Sequence, residues 1–152
     1  MKRYEKNSLL KCDIQDLFDF HLDVKNLKNI TPPGVEVTLL NKDFIPKEGE
    51  TLKLKTVKNF IPIIWEVKIN KLQSPNLLED LAIRSPFKYW KHSHIFIQKE
   101  NGLCELKDVV EYEVPFGLIG SMLNFFISYE LRKMFDYRHK ITKHIIEDTK
   151  IV

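Results

Sequence analysis

Cysteine is scarce in this chain: Cys12 and Cys104 are the only two among 152 residues. They fit neither a disulfide framework nor a CxxC metal pair. Glycine is scarce too, five in all, and no segment shows the low-complexity composition of a fibrous or disordered protein. No stretch approaches the roughly 18 uncharged apolar residues of a membrane-spanning helix. The N-terminal MKRYEKNSLLKCD holds no apolar signal core. A soluble, cytoplasmic protein is the expectation. An excess of one charge is also missing. The 24 basic residues against 21 acidic ones leave +3, spread along the chain, so no nucleic-acid partner is expected. A chain of this length buries roughly 70% of its unfolded surface and needs no disulfide or metal staple. Residues 1–152 therefore make one domain.

What is present is a change of period. Arg3 to Leu10 has the pattern of a strand. Asp13 caps a short helix with Ile14, Leu17, Phe18 and His21 at helical spacing, and Asp23 opens a second, which Pro32-Pro33-Gly34 stops. The period then falls from 3.6 to 2. Val35, Val37 and Leu39 alternate with polar partners, as do Leu52 and Leu54, then Ile63, Trp65, Val67 and Ile69. Leu77 to Ile83, Tyr89 to Lys99 and Leu103 to Val114 complete a block of six antiparallel strands, about seven with the first. After Pro115 and Gly117 a helix of about 27 residues follows. Its apolar stripe is Ile119, Met122, Leu123, Phe126, Leu131, Met134, Ile141 and Ile145. A curved sheet must cover its apolar face, and this helix is available to do it. Bulky side chains fill the rest of the concavity, or an apolar cavity persists there; patterning leaves both open.

The most informative segment is the hairpin YWKHSHIFIQKENGLCELKDVVEYE. Trp90, His92, His94 and Phe96 share one face, and Cys104, Leu106, Asp108, Val110 and Tyr112 share one face of the next strand. A two-residue Asn101-Gly102 turn would set Trp90 on the face of Glu113 and Phe96 on that of Lys107. A three-residue loop with Gly102 at positive φ pairs Lys99 with Leu103, Trp90 with Tyr112, His92 with Val110 and His94 with Asp108. Burial selects the second register, because a one-residue slip buries charge.

Together with Leu17-Phe18-Asp19-Phe20-His21, Asn26-Leu27, Thr31-Pro32-Pro33, Trp65, Pro86-Phe87, Trp90-x-His92-x-His94-x-Phe96, Asp108-x-x-x-Tyr112, Pro115-Phe116-Gly117 and Phe135-x-Tyr137-Arg138-His139, this chain resembles the START-like (SRPBCC) superfamily. More narrowly it is similar to the small bacterial ligand-binding branch related to polyketide cyclase/dehydrase proteins. Ser85 departs from the pattern, since relatives commonly carry glycine before the Pro-Phe pair. The resemblance implies an α+β helix-grip fold: a seven-stranded curved antiparallel sheet, two short helices after strand one, and a long C-terminal helix over the concave face. It also implies a cavity for an apolar small molecule between sheet and helix. No catalytic residue carries over from it.

The expected ligand-binding side chains are Leu54 and Trp65 from the earlier strands, and Trp90, His92, His94, Phe96, Asp108, Val110 and Tyr112 from the hairpin. Met122 and Phe126 join them from the helix. Three functions follow from this set. The leading one is non-enzymatic binding of a hydrophobic or aromatic molecule, with His92, His94 or Asp108 holding its polar group. The second is a cyclase- or dehydratase-type enzyme in which His94, oriented by Asp108, moves a proton. The third is a structural module whose cavity is plugged by Trp65, Trp90, Phe96 and Phe126. No metal is expected, because nothing obvious in the sequence completes the His92-x-His94 half-site, and no cofactor is expected. Arg138 falls near the apolar stripe and is expected to pair with Asp108 or Asp80. The uncharged run from Pro115 to Tyr129 is the buried face of the helix, with interfacial membrane contact as the lesser reading. Oligomeric state is left open.

Overall fold

In a computed structural model, residues 1–148 are described, with the side chains of 118–121 set aside. Strand β1 (Lys2–Lys11) leads into α1 (Ile14–Leu22) and the single turn α2 (Asn26–Asn29). Asp13 caps α1, its side chain accepting from the Gln15 amide at 2.8 Å. Six strands follow: β2 (Val35–Leu39), β3 (Thr51–Lys58), β4 (Ile61–Gln73), β5 (Leu77–Arg84), β6 (Tyr89–Gln98) and β7 (Leu103–Glu113). The last element is α3 (Gly117–Asp148), 32 residues long.

The strands form one antiparallel sheet in the order β1-β7-β6-β5-β4-β3-β2, so the first strand closes against the last. Two register shifts between β4 and β5, at Glu66/Val67 and Ile69/Lys71, add the local bend that curls such a sheet. The β6–β7 register is the one burial selects: Trp90 lies opposite Tyr112, His92 opposite Val110 and His94 opposite Asp108. The connection Glu100-Asn101-Gly102 is closed by the Lys99 amide donating to the Leu103 carbonyl at 2.8 Å. Asn101 and Gly102 both take positive φ, which asparagine and glycine tolerate best.

The buried face of α3 differs from the expected stripe. Leu131, Phe135, His139, Thr142 and Ile146 are buried, at steps of four, four, three and four residues. Met122 and Phe126, expected on the inner face, are 80% and 59% exposed. Ile119 lies outside the residues whose side chains are described. The physical reason is polar: Asn124 and Ser128 face the Tyr112 hydroxyl, at 3.0 and 3.3 Å, and His139 faces Asp108. A polar centre on the sheet turns a partly polar helix face inward, whereas apolar periodicity registers only the apolar residues. We therefore expect Phe126→Ala to change unfolding free energy by no more than about 0.5 kcal/mol. Leu131→Ala should lose about 2–3 kcal/mol in the same denaturant titration. Equal losses would return Phe126 to the gripped face.

Three packed clusters result. One joins Leu10, Leu17, Phe18, Phe96, Cys104 and Leu106 under α1. A second joins Trp90, Val110, Tyr112, Leu131 and Phe135, with Trp65 and Phe87 packed against it. A third holds Val37, Leu52 and Leu54 at the β2–β3 edge. No helix among the described residues is long and apolar enough to cross a membrane.

Candidate functional site

Asp108, 3% exposed, sits in the middle of β7 with three imidazoles around its carboxylate. Oδ1 accepts from His92 Nε2 at 2.9 Å and Oδ2 from His139 Nε2 at 2.7 Å. His94 Nδ1 lies 2.7 Å from Oδ1, in a geometry that does not complete a hydrogen bond. The arrangement is local in origin. His92 and His94 alternate onto the same face of β6 as Asp108 on β7, and His139 is on the inner stripe of α3. His139 Nδ1 accepts in turn from the Ser8 hydroxyl at 2.7 Å, which ties α3 to β1. Burial by itself would push the Asp108 carboxyl up. The charge interaction with the neighbouring His94 and the hydrogen bonds from His139 and His92 outweigh burial and hold it well below the ordinary carboxylate range.

A second carboxylate completes the group. Asp80 on β5 pairs directly with His92 across the strands. Its Oδ2 lies 3.9 Å from both His92 Nδ1 and His94 Nε2. Burial raises the Asp80 carboxyl to about 6, against the pull of His94 and Arg138. Arg138 makes no ion pair within 4.0 Å of either aspartate. Its guanidinium lies 5.5 Å from the Phe135 ring centroid, and its Nε is buried without a hydrogen-bond partner. The expected contact pairing is therefore replaced by a longer-range field acting on Asp108 and Asp80. His21 of α1 closes the other side, its ring 5.2 Å from that of His94 and its Nδ1 2.9 Å from the Leu17 carbonyl. Burial, followed by the field of His94, lowers the His21 imidazole to about 3, so it is neutral.

Next to this polar centre stands an aromatic wall. Trp65 and Trp90 meet edge-on at 5.4 Å, Phe87 packs on Trp90 at 4.7 Å, and Tyr112 closes on Phe87 at 5.8 Å. Of the expected site residues, the fold gathers Trp65, Trp90, Val110 and Tyr112 into this wall and His92, His94 and Asp108 beside it. Phe96 packs under α1 with its ring stacked 6.5 Å from that of His94, and Leu54 lies opposite Trp65 in the β3–β4 pairing. Met122 and Phe126 point to solvent. Asp80, His139, His21 and Phe87 are site residues that strand alternation alone did not single out. His139 shares a helical period with Leu131, Phe135 and Thr142, and that was its signal. Asp80 depended on the β5–β6 register, which the bulged β4–β5 pairing leaves unmarked in the sequence.

No family model matches this chain, and no curated protein does. Solved structures do. A crystal structure of a Chromobacterium violaceum protein superposes with a TM-score of 0.75 at 12% identity, covering 95% of this chain and 97% of that one. A START superfamily protein from Mycobacterium smegmatis gives 0.71 at 10% identity, over 97% and 99%. The di-domain ARO/CYC StfQ from the steffimycin biosynthetic pathway gives 0.74 at 9% identity, covering 99% of this chain and 52% of that one. The chain therefore has the START-like helix-grip fold, shared with polyketide cyclase-related structures. At these identities the likeness concerns the fold and not the chemistry.

Proposed function

We propose that the protein binds a small amphipathic molecule between sheet and α3, without converting it, in the cytoplasm. The body of the ligand is apolar or aromatic and lies against Trp65 and Trp90. Its polar group meets Asp80, His92 and His94. The observation that carries this reading is unused hydrogen-bonding capacity beside an aromatic wall. Among the described residues, the basic nitrogens nearest Asp80 are His92 Nδ1 and His94 Nε2, both at 3.9 Å, and Arg138 Nε is buried without a partner. Buried polar groups left this way cost roughly 1–3 kcal/mol each, which a ligand with donors and acceptors recovers. The rim is apolar as well. Phe60, at the β3–β4 turn, is 99% exposed, Phe125 is 84% exposed, and an ion pair between Lys58 and Glu130 ties that hairpin to α3.

The test uses the only two tryptophans in the chain, which both stand at the site. Anilinonaphthalene sulfonate, an aromatic anion, should quench their emission saturably in the wild type, and Trp65→Phe should change that response. Native mass spectrometry and solvent extraction of freshly purified protein should show a small-molecule adduct. A chain with no adduct and unchanged tryptophan emission would overturn the reading. A second reading has its own observation: His94 Nδ1 lies against Asp108, leaving Nε2 toward Asp80, an arrangement suited to moving a proton. A folded His94→Gln variant that retains any turnover found would exclude it.

A further inference from the structure

We propose that Asp80, His92 and His94 form a binding site for one divalent transition-metal ion, zinc being the best match. The proposal does not rest on small-molecule binding, because metal uptake is measured without any organic ligand. Asp108 takes the N–H of His92 at Nε2 and stands 2.7 Å from Nδ1 of His94. A carboxylate accepts only, so the network assigns the protons to those two nitrogens and leaves lone pairs on His92 Nδ1 and His94 Nε2. Both lone pairs face Asp80 Oδ2, each at 3.9 Å.

Three ligand atoms, one from each of Asp80, His92 and His94, thus converge within 4.8 Å of one another. An ionised carboxylate and two imidazole lone pairs repel unless a proton or a cation lies among them. A tetrahedral zinc with bonds of about 2.0–2.1 Å sets its ligand atoms roughly 3.4 Å apart, so the two 3.9 Å separations close by about 0.5 Å and the separation of the two histidine nitrogens by about 1.4 Å at most. Small side-chain rotations on adjacent strands supply that movement. The surroundings are those of a metal site too. Each histidine has a carboxylate at its other nitrogen, the outer contact that orients metal-binding imidazoles. Asp108 serves both rings and is itself fixed by His139 at 2.7 Å. Access exists, since the Asp80 and His94 side chains are 21% and 15% exposed while His92 is 6%. Two nitrogens and one oxygen suit zinc, with copper and nickel as competitors in vitro. Three protein ligands leave a coordination position for water or for a donor atom of a bound molecule.

Chelator-stripped full-length protein is titrated with Zn²⁺ against a chromophoric zinc indicator at neutral pH. The wild type should take up one equivalent. Asp80→Asn and His94→Gln, checked for folding by circular dichroism, should each weaken uptake by about ten-fold or more. His144→Gln, which alters a side chain 72% exposed and away from the cluster, should bind like the wild type. Co²⁺ should give ligand-field bands without a thiolate charge-transfer band, separating this site from Cys12 and Cys104. Absence of uptake by the wild type overturns the proposal whatever the variants do. So does undiminished uptake by both folded site variants, or a thiolate band with Co²⁺.

Discussion

Asp108→Ala is expected to destabilise the protein by about 3–5 kcal/mol, the range for breaking a buried, hydrogen-bonded charge cluster by removing one partner. Asp108 is 3% exposed and receives hydrogen bonds from a strand neighbour, His92, and from the helix, His139. Its removal leaves two buried N–H donors without an acceptor and frees α3 from the centre of the sheet. At this chain length each kcal/mol moves Tm by roughly 2–4 °C, so the loss is visible in any thermal scan. The comparison is Asp136→Ala. Asp136 pairs with Lys6 at 2.8 Å, but its side chain is 51% exposed, and the change should stay under about 1 kcal/mol. A double-mutant cycle with His139→Ala should return a coupling of at least about 1 kcal/mol. If Asp108→Ala costs no more than Asp136→Ala, the carboxylate does not hold the helix. The sign of the pH effect follows from its lowered pKa. The stabilisation is present above the unfolded carboxylate value of about 3.9 and fades as pH falls below it.

Between pH 6.5 and about 3, two other groups act, and with opposite signs. Burial holds the His21 imidazole neutral, down to about 3, whereas in the unfolded chain it protonates near 6.5. A lowered folded pKa means that its contribution is complete above 6.5 and is lost as pH falls toward 3. At pH 4.5 the loss is about 2–3 kcal/mol, from 1.36 kcal/mol per pH unit. Asp80 runs the other way. Burial raises its carboxyl from 3.8 to about 6, so its contribution is complete below 3.8 and is lost as pH rises through 6. In chelator-stripped protein, the stability of His21→Gln relative to wild type should therefore improve on acidification from pH 7 to 4.5. That of Asp80→Asn should improve on going from pH 4 to 7, by about 2 kcal/mol. Urea titrations at each pH measure both differences. Parallel curves for wild type and His21→Gln would show that His21 protonates freely in the folded state.

Alternation along single strands was enough to specify the polar centre's first half. His92 and His94 recur at i and i+2, and only the register that pairs Lys99 with Leu103 keeps charges off the buried face, so Asp108 opposite His94 followed from chain-local arithmetic. The same arithmetic placed Trp90 against Tyr112 and separated six strands from the helix that follows. The fold itself, a seven-stranded antiparallel sheet gripping one long helix, was likewise legible from the periods and the turn residues.

Helix orientation was not legible, because apolar periodicity assumes that the buried face is the apolar one. Here Asp108 and the Tyr112 hydroxyl stand on the sheet. Burying them without partners costs more than exposing Met122 and Phe126, so Asn124, Ser128 and His139 turn inward. The second half of the site was decided by pairings between distant segments. Asp80 meets His92 only through the β5–β6 register, and His139, 31 positions further along the chain than Asp108, meets it only when α3 folds back over β7. Spacing within one strand fixes what shares a face; which faces meet is settled by burial and hydrogen-bond satisfaction summed over the whole molecule.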